Sequence, residues 1–171
     1  TGYPYQPLPT RSAPVPKLKF DFYEVVLPPN ATEAFERLIE NLDGSIDDHT
    51  RSVEFYDQTN LRFQEGKKQE DYFLGEMIRI NTKNIPNKAK LNGVTAPIEL
   101  EPDQGIGAGT AFLYHPPTKT LVIQKSANGV PPSAFEFYFE QKSKVTPMTL
   151  RPWLQKETNK KFNQKTVNKS E

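Results

Sequence analysis

Carboxylates and a lysine in the second half of the chain follow a pattern that holds magnesium in some nucleases. Asp103 comes directly after Pro102, and Glu140 and Lys142 form a Glu-x-Lys pattern further on. Carboxylates bind the metal in such sites, and the metal activates the attacking water. The usual arrangement places the two parts on neighbouring strands, whereas a complete predicted hairpin separates them here. A metal-dependent nuclease therefore stays an alternative, with Asp103, Glu140 and Lys142 as candidate catalytic residues, and no metal ligand or other cofactor is predicted.

Three glycines, Gly105, Gly107 and Gly109, raise the question of a phosphate-binding loop. Such a loop follows a strand and leads into a helix, because the helix amides and dipole then face the anion. This run instead follows the acidic stretch from Glu99 to Asp103 and leads into a predicted strand, without a Gly-Lys-Ser or Gly-Lys-Thr motif. We therefore interpret the glycines as a turn or bulge at the start of the strand.

The two histidines, His49 and His115, are the next candidates for chemistry. His49 follows Asp47 and Asp48, but neighbours in sequence seldom converge on one metal ion, and an exposed loop explains the group better. His115 is placed at the end of a predicted hairpin strand, where a solvated turn residue is expected. A catalytic dyad or triad needs a nucleophile and an orienting group close in space, and no sequence pattern supplies them.

Positive charge is concentrated at the ends of the chain and in one central loop. The formal net charge is +1, but residues 141–171 carry a net +6 and residues 21–140 a net −8. Such a distribution is compatible with contacts to nucleic-acid phosphates. It is equally compatible with a solvated loop and tail beside an acidic body. The candidate nucleic-acid-binding residues are Arg79, Lys83, Lys88, Lys90, Lys156, Lys160, Lys161 and Lys165.

The elements that must position these residues form an α+β fold. We predict a mostly antiparallel sheet with one N-terminal helix and one short C-terminal helix, flanked by flexible ends. Alternating apolar residues predict strands in KLKFDFYEVVL and EDYFLGEMIRIN, and hairpins in SVEFYDQTNLRFQEG and TAFLYHPPTKTLVIQK. Helical spacing predicts a helix in NATEAFERLIENL, with Asn30 as N-cap and Glu33 completing a capping box. The segment PPSAFEFYFEQK fits a strand or a helix, and its Pro-Pro-Ser start favours a helix.

Composition divides the chain into three parts. Residues 1–17 are a Pro-rich arm or linker, residues 18–142 a single α+β domain, and residues 143–171 a basic tail. The most periodic elements of the domain define a predicted core. Its members are Phe20, Phe22, Phe35, Leu38, Leu42, Phe112, Tyr114, Leu121 and Ile123.

Residue types that are absent exclude several classes of protein. The chain has no cysteine, which excludes disulfides, zinc–thiolate sites, iron–sulfur clusters and cysteine nucleophiles. No apolar run approaches the ~20 residues of a membrane span. We therefore predict a cytoplasmic protein without membrane contact.

Residues 19–141 resemble a loosely defined group of bacterial and prophage proteins and, more distantly, the N-terminal part of RexA-type phage-exclusion proteins. The strand KFDFYEV, the helix FERLIENL and the block from Ile98 to Phe139 carry the resemblance. It implies an intracellular α+β domain of phage–host conflict, associated with DNA and dimeric. RexA-type proteins are longer, and no second domain is recognisable here. We predict a non-enzymatic module of a phage-related or phage-defence system that contacts a protein partner, a second copy or nucleic acid.

Overall fold

A seven-stranded antiparallel sheet forms the centre of the structure, a computed structural model that describes residues 16–44 and 51–154. Two helices pack on this sheet, and a separate two-stranded ribbon, β5–β6, lies between β4 and β7 along the chain. In chain order the elements are β1 (Phe20–Val26), α1 (Thr32–Gly44), β2 (Ser52–Phe55), β3 (Thr59–Lys68), β4 (Phe73–Asn81), β5 (Lys88–Ala89), β6 (Thr95–Ala96), β7 (Ile106–His115), β8 (Thr120–Gln124), α2 (Pro132–Ser143) and β9 (Thr149–Pro152).

The strand order across the large sheet is β2-β3-β4-β7-β8-β1-β9, and each neighbouring pair is antiparallel. The predicted α+β class is therefore confirmed. The predicted hairpins correspond to β2–β3 and β7–β8, and the ambiguous aromatic segment is the helix α2. Among the helices of the described residues, none combines the length and apolar character needed to cross a bilayer.

Both helices cover the same face of the sheet, through an interlocked group of aromatic rings. Phe35 of α1 packs edge-on against Tyr114 of β7 at 5.1 Å and against Phe139 of α2 at 5.2 Å between ring centroids. Phe112 of β7 packs against Phe135 of α2 at 5.4 Å. Each fully buried ring contributes ~1.5–3 kcal/mol by burial and ~0.5–1.5 kcal/mol more per edge-to-face pair. This group of rings fixes both helices on the sheet.

The polar atoms of two core residues are paired rather than free. The Tyr114 hydroxyl donates to a Glu36 carboxylate oxygen at 3.3 Å. Burial, and next the negative charge of Glu36, raises the pKa of Tyr114 well above its usual value. The Tyr138 hydroxyl donates to the backbone oxygen of Arg51 at 2.7 Å, and burial raises the pKa of Tyr138 in the same way. Both rings are therefore held neutral in the fold.

The start of α1 differs from the prediction by one residue. The Phe35 N–H donates to the Ala31 carbonyl, so Ala31 occupies the N-cap position. Asn30 lies in the preceding turn with a positive φ of 64°. Glu33 pairs with Arg37 one turn on instead of closing a capping box. The apolar face of the helix is as predicted at Phe35 and at half-buried Leu38, while the Leu42 side chain lies outside the described part of the structure.

The predicted phase of β1 is wrong. Tyr23 and Val25 are buried, whereas Phe20 and Phe22 are exposed on the other face of the sheet. The buried pair lies between core residues, because Tyr23 is opposite Leu121 on β8 and Val25 is opposite Leu150 on β9. Both faces of this strand are apolar, so alternation alone could not decide which side faces the helices. The other predicted core strand residues, Phe112, Tyr114, Leu121 and Ile123, are buried as expected.

Strand β9 has no counterpart among the predicted elements, and it extends the sheet beyond residue 142 into the segment assigned to the tail. Its Leu150 is buried in the core. The Trp153 N–H donates to the Phe22 carbonyl. Backbone N–H groups alternate in direction along a strand, so the backbone nitrogens of Leu150 and Pro152 point away from β1. Two carboxylates of α2 accept the outward N–H groups nearby: Glu136 accepts that of Leu150 at 2.7 Å, and Glu140 that of Met148 at 2.6 Å. Pro152 has no N–H, so this edge offers no free donor from Met148 to Pro152.

Candidate functional site

The three glycines do not form a turn, which corrects the prediction. Gly107 and Gly109 lie inside β7, and no glycine of the described residues has a positive φ. Side chains of β4 lie over this part of the strand. A Cβ on Gly107 would come within 3.2 Å of Ile78 Cγ2, and one on Gly109 would overlap the Glu76 carboxylate. The glycines therefore make room for neighbouring side chains, and their strand leads into another strand rather than a helix.

The nuclease-like residues lie on different kinds of element. Asp103 is exposed in the loop before β7, whereas Glu140 and Lys142 are on α2. The Glu140 carboxylate is already engaged by the Met148 amide. Desolvation lowers the pKa of Lys142, with a smaller contribution from Lys144. Within residues 16–44 and 51–154, no group of three or more histidines, aspartates or glutamates is placed to hold a metal ion. The nuclease alternative thus gains no support from the geometry.

The histidines also stay apart from any reactive set. His115 ends β7, and its Nδ1 shares a hydrogen bond of 2.7 Å with the Thr118 hydroxyl in the turn to β8. This is the turn position that the sequence suggested. Asp47, Asp48 and His49 lie outside the described residues.

The structure brings together only two of the predicted nucleic-acid-binding residues. Arg79 and Lys83 line the same cavity, of about 340 Å³, at the end of β4. Lys88 and Lys90 belong to the exposed β5–β6 ribbon. The candidates in the tail, Lys156, Lys160, Lys161 and Lys165, lie outside the described residues, as do residues 1–15 of the predicted arm.

The most distinctive surface is on the face of the sheet opposite the helices, which we call the open face. One row of side chains crosses five adjacent strands there. Phe22 is opposite Val122, Val122 is opposite Leu113, and Leu113 is opposite Leu74. Trp153 extends the row beyond Phe22, because its N–H bonds to the Phe22 carbonyl. We call this set the apolar row: Trp153, Phe22, Val122, Leu113 and Leu74.

The apolar row is not covered by the described part of the chain. Trp153 is 56% exposed, Phe22 53% and Leu74 42%, while Val122 and Leu113 in the middle are half-buried by their neighbours. Monomeric proteins seldom expose a contiguous apolar patch of this kind unless it binds something. Sequence reasoning missed the row because it assigned Phe20 and Phe22 to the core. The signal that could have revealed it is the presence of apolar residues on both faces of β1.

The two rows beside the apolar row differ in charge. On one side lie Phe20, Gln124, Ala111, Glu76 and Glu65, which we call the acidic row. On the other side lie Arg151, Glu24, Thr120 and His115, which we call the mixed row. In the mixed row the Arg151 guanidinium pairs with the Glu24 carboxylate at 2.5 Å. The open face therefore has an apolar centre with two unlike borders.

A second cavity, of about 550 Å³, adjoins the end of the apolar row at Leu74 and Gly75. Arg51 contributes to its wall, and this arginine is almost fully buried. Its Nη1 donates to the Gln64 carbonyl at 3.1 Å, and its guanidinium lies 5.8 Å from the Phe63 ring centroid. These contacts tie the segment before β2 to β3, so we assign Arg51 a structural role.

A family model matches residues 16–170, which include every residue that the structure describes. Its description is a family of unknown function, DUF6731. No curated protein and no solved structure gives a significant match to the chain. The description of the open face and of the cavity at Arg79 therefore depends on the structure of this chain alone. The chain belongs to the DUF6731 family.

Proposed function

We propose that this protein is a non-enzymatic binding module whose open face docks a second copy of the chain. The observation that carries the proposal is the uncovered apolar row on a sheet with helices on one side only. Antiparallel sheets that face water on one side normally present polar side chains there. A cytoplasmic, phage-related setting, as the resemblance implies, is part of the same proposal.

The two edges of the sheet offer few free backbone hydrogen-bonding groups, which supports docking through a face of the sheet rather than through an edge. Growth of a sheet from its edge needs free backbone N–H and C=O groups. At the β9 edge the outward N–H groups of Leu150 and of Met148, just before the strand, donate to Glu136 and Glu140, and Pro152 has no N–H. The other edge strand, β2, has only four residues. The open face is therefore the better surface for a second copy.

A symmetric pair of copies fits the charge pattern of the open face. If the twofold axis runs along the apolar row, each row residue meets its own counterpart, and the acidic row of one copy meets the mixed row of the other. Gln124 then faces Thr120, and Ala111 faces His115. Phe20 faces Glu24, whose carboxylate is already paired with Arg151 of its own copy. An axis along the strands would instead place the acidic row of one copy against the acidic row of the other, which brings like charges together. We therefore favour the axis along the row.

The size of the face sets the strength of the expected dimer. Five strands spaced ~4.8 Å apart and three rows spaced ~6.8 Å apart cover about 24 Å by 20 Å, or roughly 500 Å² on each copy. Two copies would bury on the order of 1,000 Å², near the lower limit for a specific interface. We expect a reversible dimer with a dissociation constant in the micromolar range.

Single-cysteine variants test this arrangement, because the chain has no cysteine of its own. In Leu74→Cys the thiol lies at one end of the row and faces its counterpart across sheets ~10 Å apart. A short bis-maleimide should therefore link two copies in high yield. Leu91→Cys, on the fully exposed β5–β6 turn, is the matched control.

Equal, low cross-linking of Leu74→Cys and Leu91→Cys would contradict the proposal. Adding Phe22→Asp to the Leu74→Cys variant should abolish the cross-link, since it places a charge within the apolar row of the docked face. Circular dichroism of each variant checks that the fold is kept.

A further inference from the structure

The cavity at Arg79 lies on the helix-covered side of the sheet, away from the open face. Its walls come from the turn between β2 and β3 and from the end of β4 with the loop that follows. Arg79 shares its face with buried Leu61, which is directly opposite it on β3. At about 340 Å³ the cavity is within the range of small-molecule sites, ~300–1,000 Å³. Its size suits a small ligand.

Two cationic side chains, Arg79 and Lys83, line this cavity beside one carboxylate, that of Asp57. The Arg79 Nε is buried and has no hydrogen-bond partner among the described residues. The Asn81 Oδ1 accepts from the Thr59 hydroxyl at 3.1 Å, which leaves the amide N–H groups of Asn81 to donate elsewhere. Lys83 lies 3.6 Å from Asp57, but both side chains are at least half exposed, so this pair is weak. Arg79 and Lys83 therefore bring two positive charges to the wall of one cavity, and an anion complements them.

An exposed aromatic ring stands at the wall of the same cavity. Tyr56 is 73% exposed, yet its ring packs at an angle against Phe55, with centroids 4.7 Å apart, and lies 6.1 Å from the Phe137 ring. Phe55 in turn packs against Phe137 of α2 at 5.2 Å. An aromatic ring that is packed against its neighbours and still largely exposed is a platform on which a flat ring can stack.

The turn that carries Tyr56 is held in a fixed position. Asp57 and Gln58 have positive φ values of 53° and 57°, and the Thr59 N–H bonds to the Tyr56 carbonyl. This is the pattern of a tight hairpin turn. The Thr82 hydroxyl donates to the Gln58 carbonyl at 2.9 Å and so ties the turn to the loop after β4. Tyr56 and the donors of β4 are thereby kept on the same side of the opening.

We propose that this cavity binds a small anion joined to a flat ring, with the chemistry of a nucleoside monophosphate. Arg79 and Lys83 bind the phosphate, since a guanidinium and an ammonium supply charge-assisted donors. Tyr56 stacks on the base, and Asn81 and Asn84 supply polar groups for the base or the sugar. The site is independent of the open face, so either proposal can fail without the other.

Calorimetric titration of the full chain with AMP, GMP, CMP and UMP tests the site, with inorganic phosphate and a short oligothymidylate as further arms. At least one mononucleotide should bind, and more tightly than phosphate. Arg79→Met should weaken binding at least about tenfold, and Tyr56→Ser at least about fivefold. The controls, Arg37→Met at an exposed position of α1 and Leu91→Ser on the exposed β5–β6 turn, should bind as the wild type does. Binding of the oligothymidylate alone, lost in Arg79→Met, would assign the nucleotide to a strand end and still support the site.

Thermal unfolding without ligand separates binding from folding. Arg79→Met removes a buried unpaired donor, so its melting temperature should equal or exceed that of the wild type. If this variant fails to fold, Lys83→Ala replaces it, because the Lys83 side chain is exposed. Lys83→Ala should lower the nucleotide affinity at least about fivefold. The proposal is overturned if neither mononucleotides nor the oligothymidylate bind at millimolar concentration, or if the Arg79 and Lys83 variants bind with wild-type affinity. The stacked base would be removed from the proposal if mononucleotides bound no more tightly than phosphate and if Tyr56→Ser left their affinity unchanged.

Discussion

On the helix-covered face of the sheet, Phe112 and Tyr114 are buried against rings from both helices, whereas on the open face Phe22 and Trp153 remain more than half exposed. The two faces draw on the same kinds of apolar side chain. They differ in that α1 and α2 cover one of them and no described element covers the other. An apolar sheet face is stable when a second layer packs on it. The difference teaches that the described residues supply a second layer for one face only, and the proposed docking of a second copy rests on this difference.

The largest contrast between the faces should appear when one aromatic ring is removed from each. Phe35→Ala leaves a cavity among Tyr114, Phe139 and the sheet, and should lower the free energy of unfolding by about 3–5 kcal/mol. Phe22→Ala on the open face should cost less than about 1 kcal/mol. Urea denaturation at dilute concentration, where the chain is monomeric, measures both. Equal costs would mean that the two faces are equally covered.

A smaller contrast is expected for glycines on the two faces. A Cβ on Gly75 would come within 2.5 Å of the Phe112 ring on the covered face, where packing leaves no room to shift. Gly75→Ala should therefore cost about 1–3 kcal/mol. Gly107→Ala, whose Cβ meets half-exposed Ile78, should change stability by less than about 1 kcal/mol. Thermal unfolding of the two variants measures these costs. A larger loss of stability for Gly107→Ala than for Gly75→Ala would reverse the assignment of the faces.

The covered face should also make the protein sensitive to alkali. The folded-state pKa values of Tyr114 and Tyr138 are raised, so both stay neutral in the fold while the unfolded chain ionises above pH ~10. Their contribution to stability is complete below that pH and is lost as the pH rises further. The decline should be at most about 1.4 kcal/mol per pH unit for each ring. Tyr114→Phe should reduce the slope, whereas the exposed control Tyr56→Phe should not; identical slopes would contradict this origin.

Much of the fold could be predicted because its elements have one clear apolar side. Helix α1 has Phe35 at helical spacing, and the hairpin β7–β8 alternates around Phe112 and Leu121. The sequence therefore predicts both the type of each element and the side that is buried. For β1 the alternation predicts a strand but not its buried side, because apolar residues occupy both sides. Strand β9 was missed because it has four residues, ends in a proline and is held by carboxylates that are distant in sequence.

The candidate sites were less accessible to sequence reasoning. Arg79 and Lys83 were singled out by charge, but their cavity depends on the register of β3 with β4 and on the ring of Tyr56. The apolar row depends on register across five strands that come from separate parts of the chain. No local pattern encodes such a row. The sequence predicts a turn or bulge at these glycines, because their role, making room for β4 side chains, is visible only in the paired strands.

The most direct test of the central claim is the mass of the protein in solution, measured by sedimentation equilibrium. The chain has a mass of 19.5 kDa, and we predict a shift towards twice this mass as the concentration rises from about 1 µM to about 100 µM, the range expected for a small interface. Phe22→Asp should stay at the monomer mass throughout, and Leu91→Asp should follow the wild type. A wild-type protein that stays at 19.5 kDa over this range, or a Phe22→Asp variant that dimerises equally well, would contradict the account.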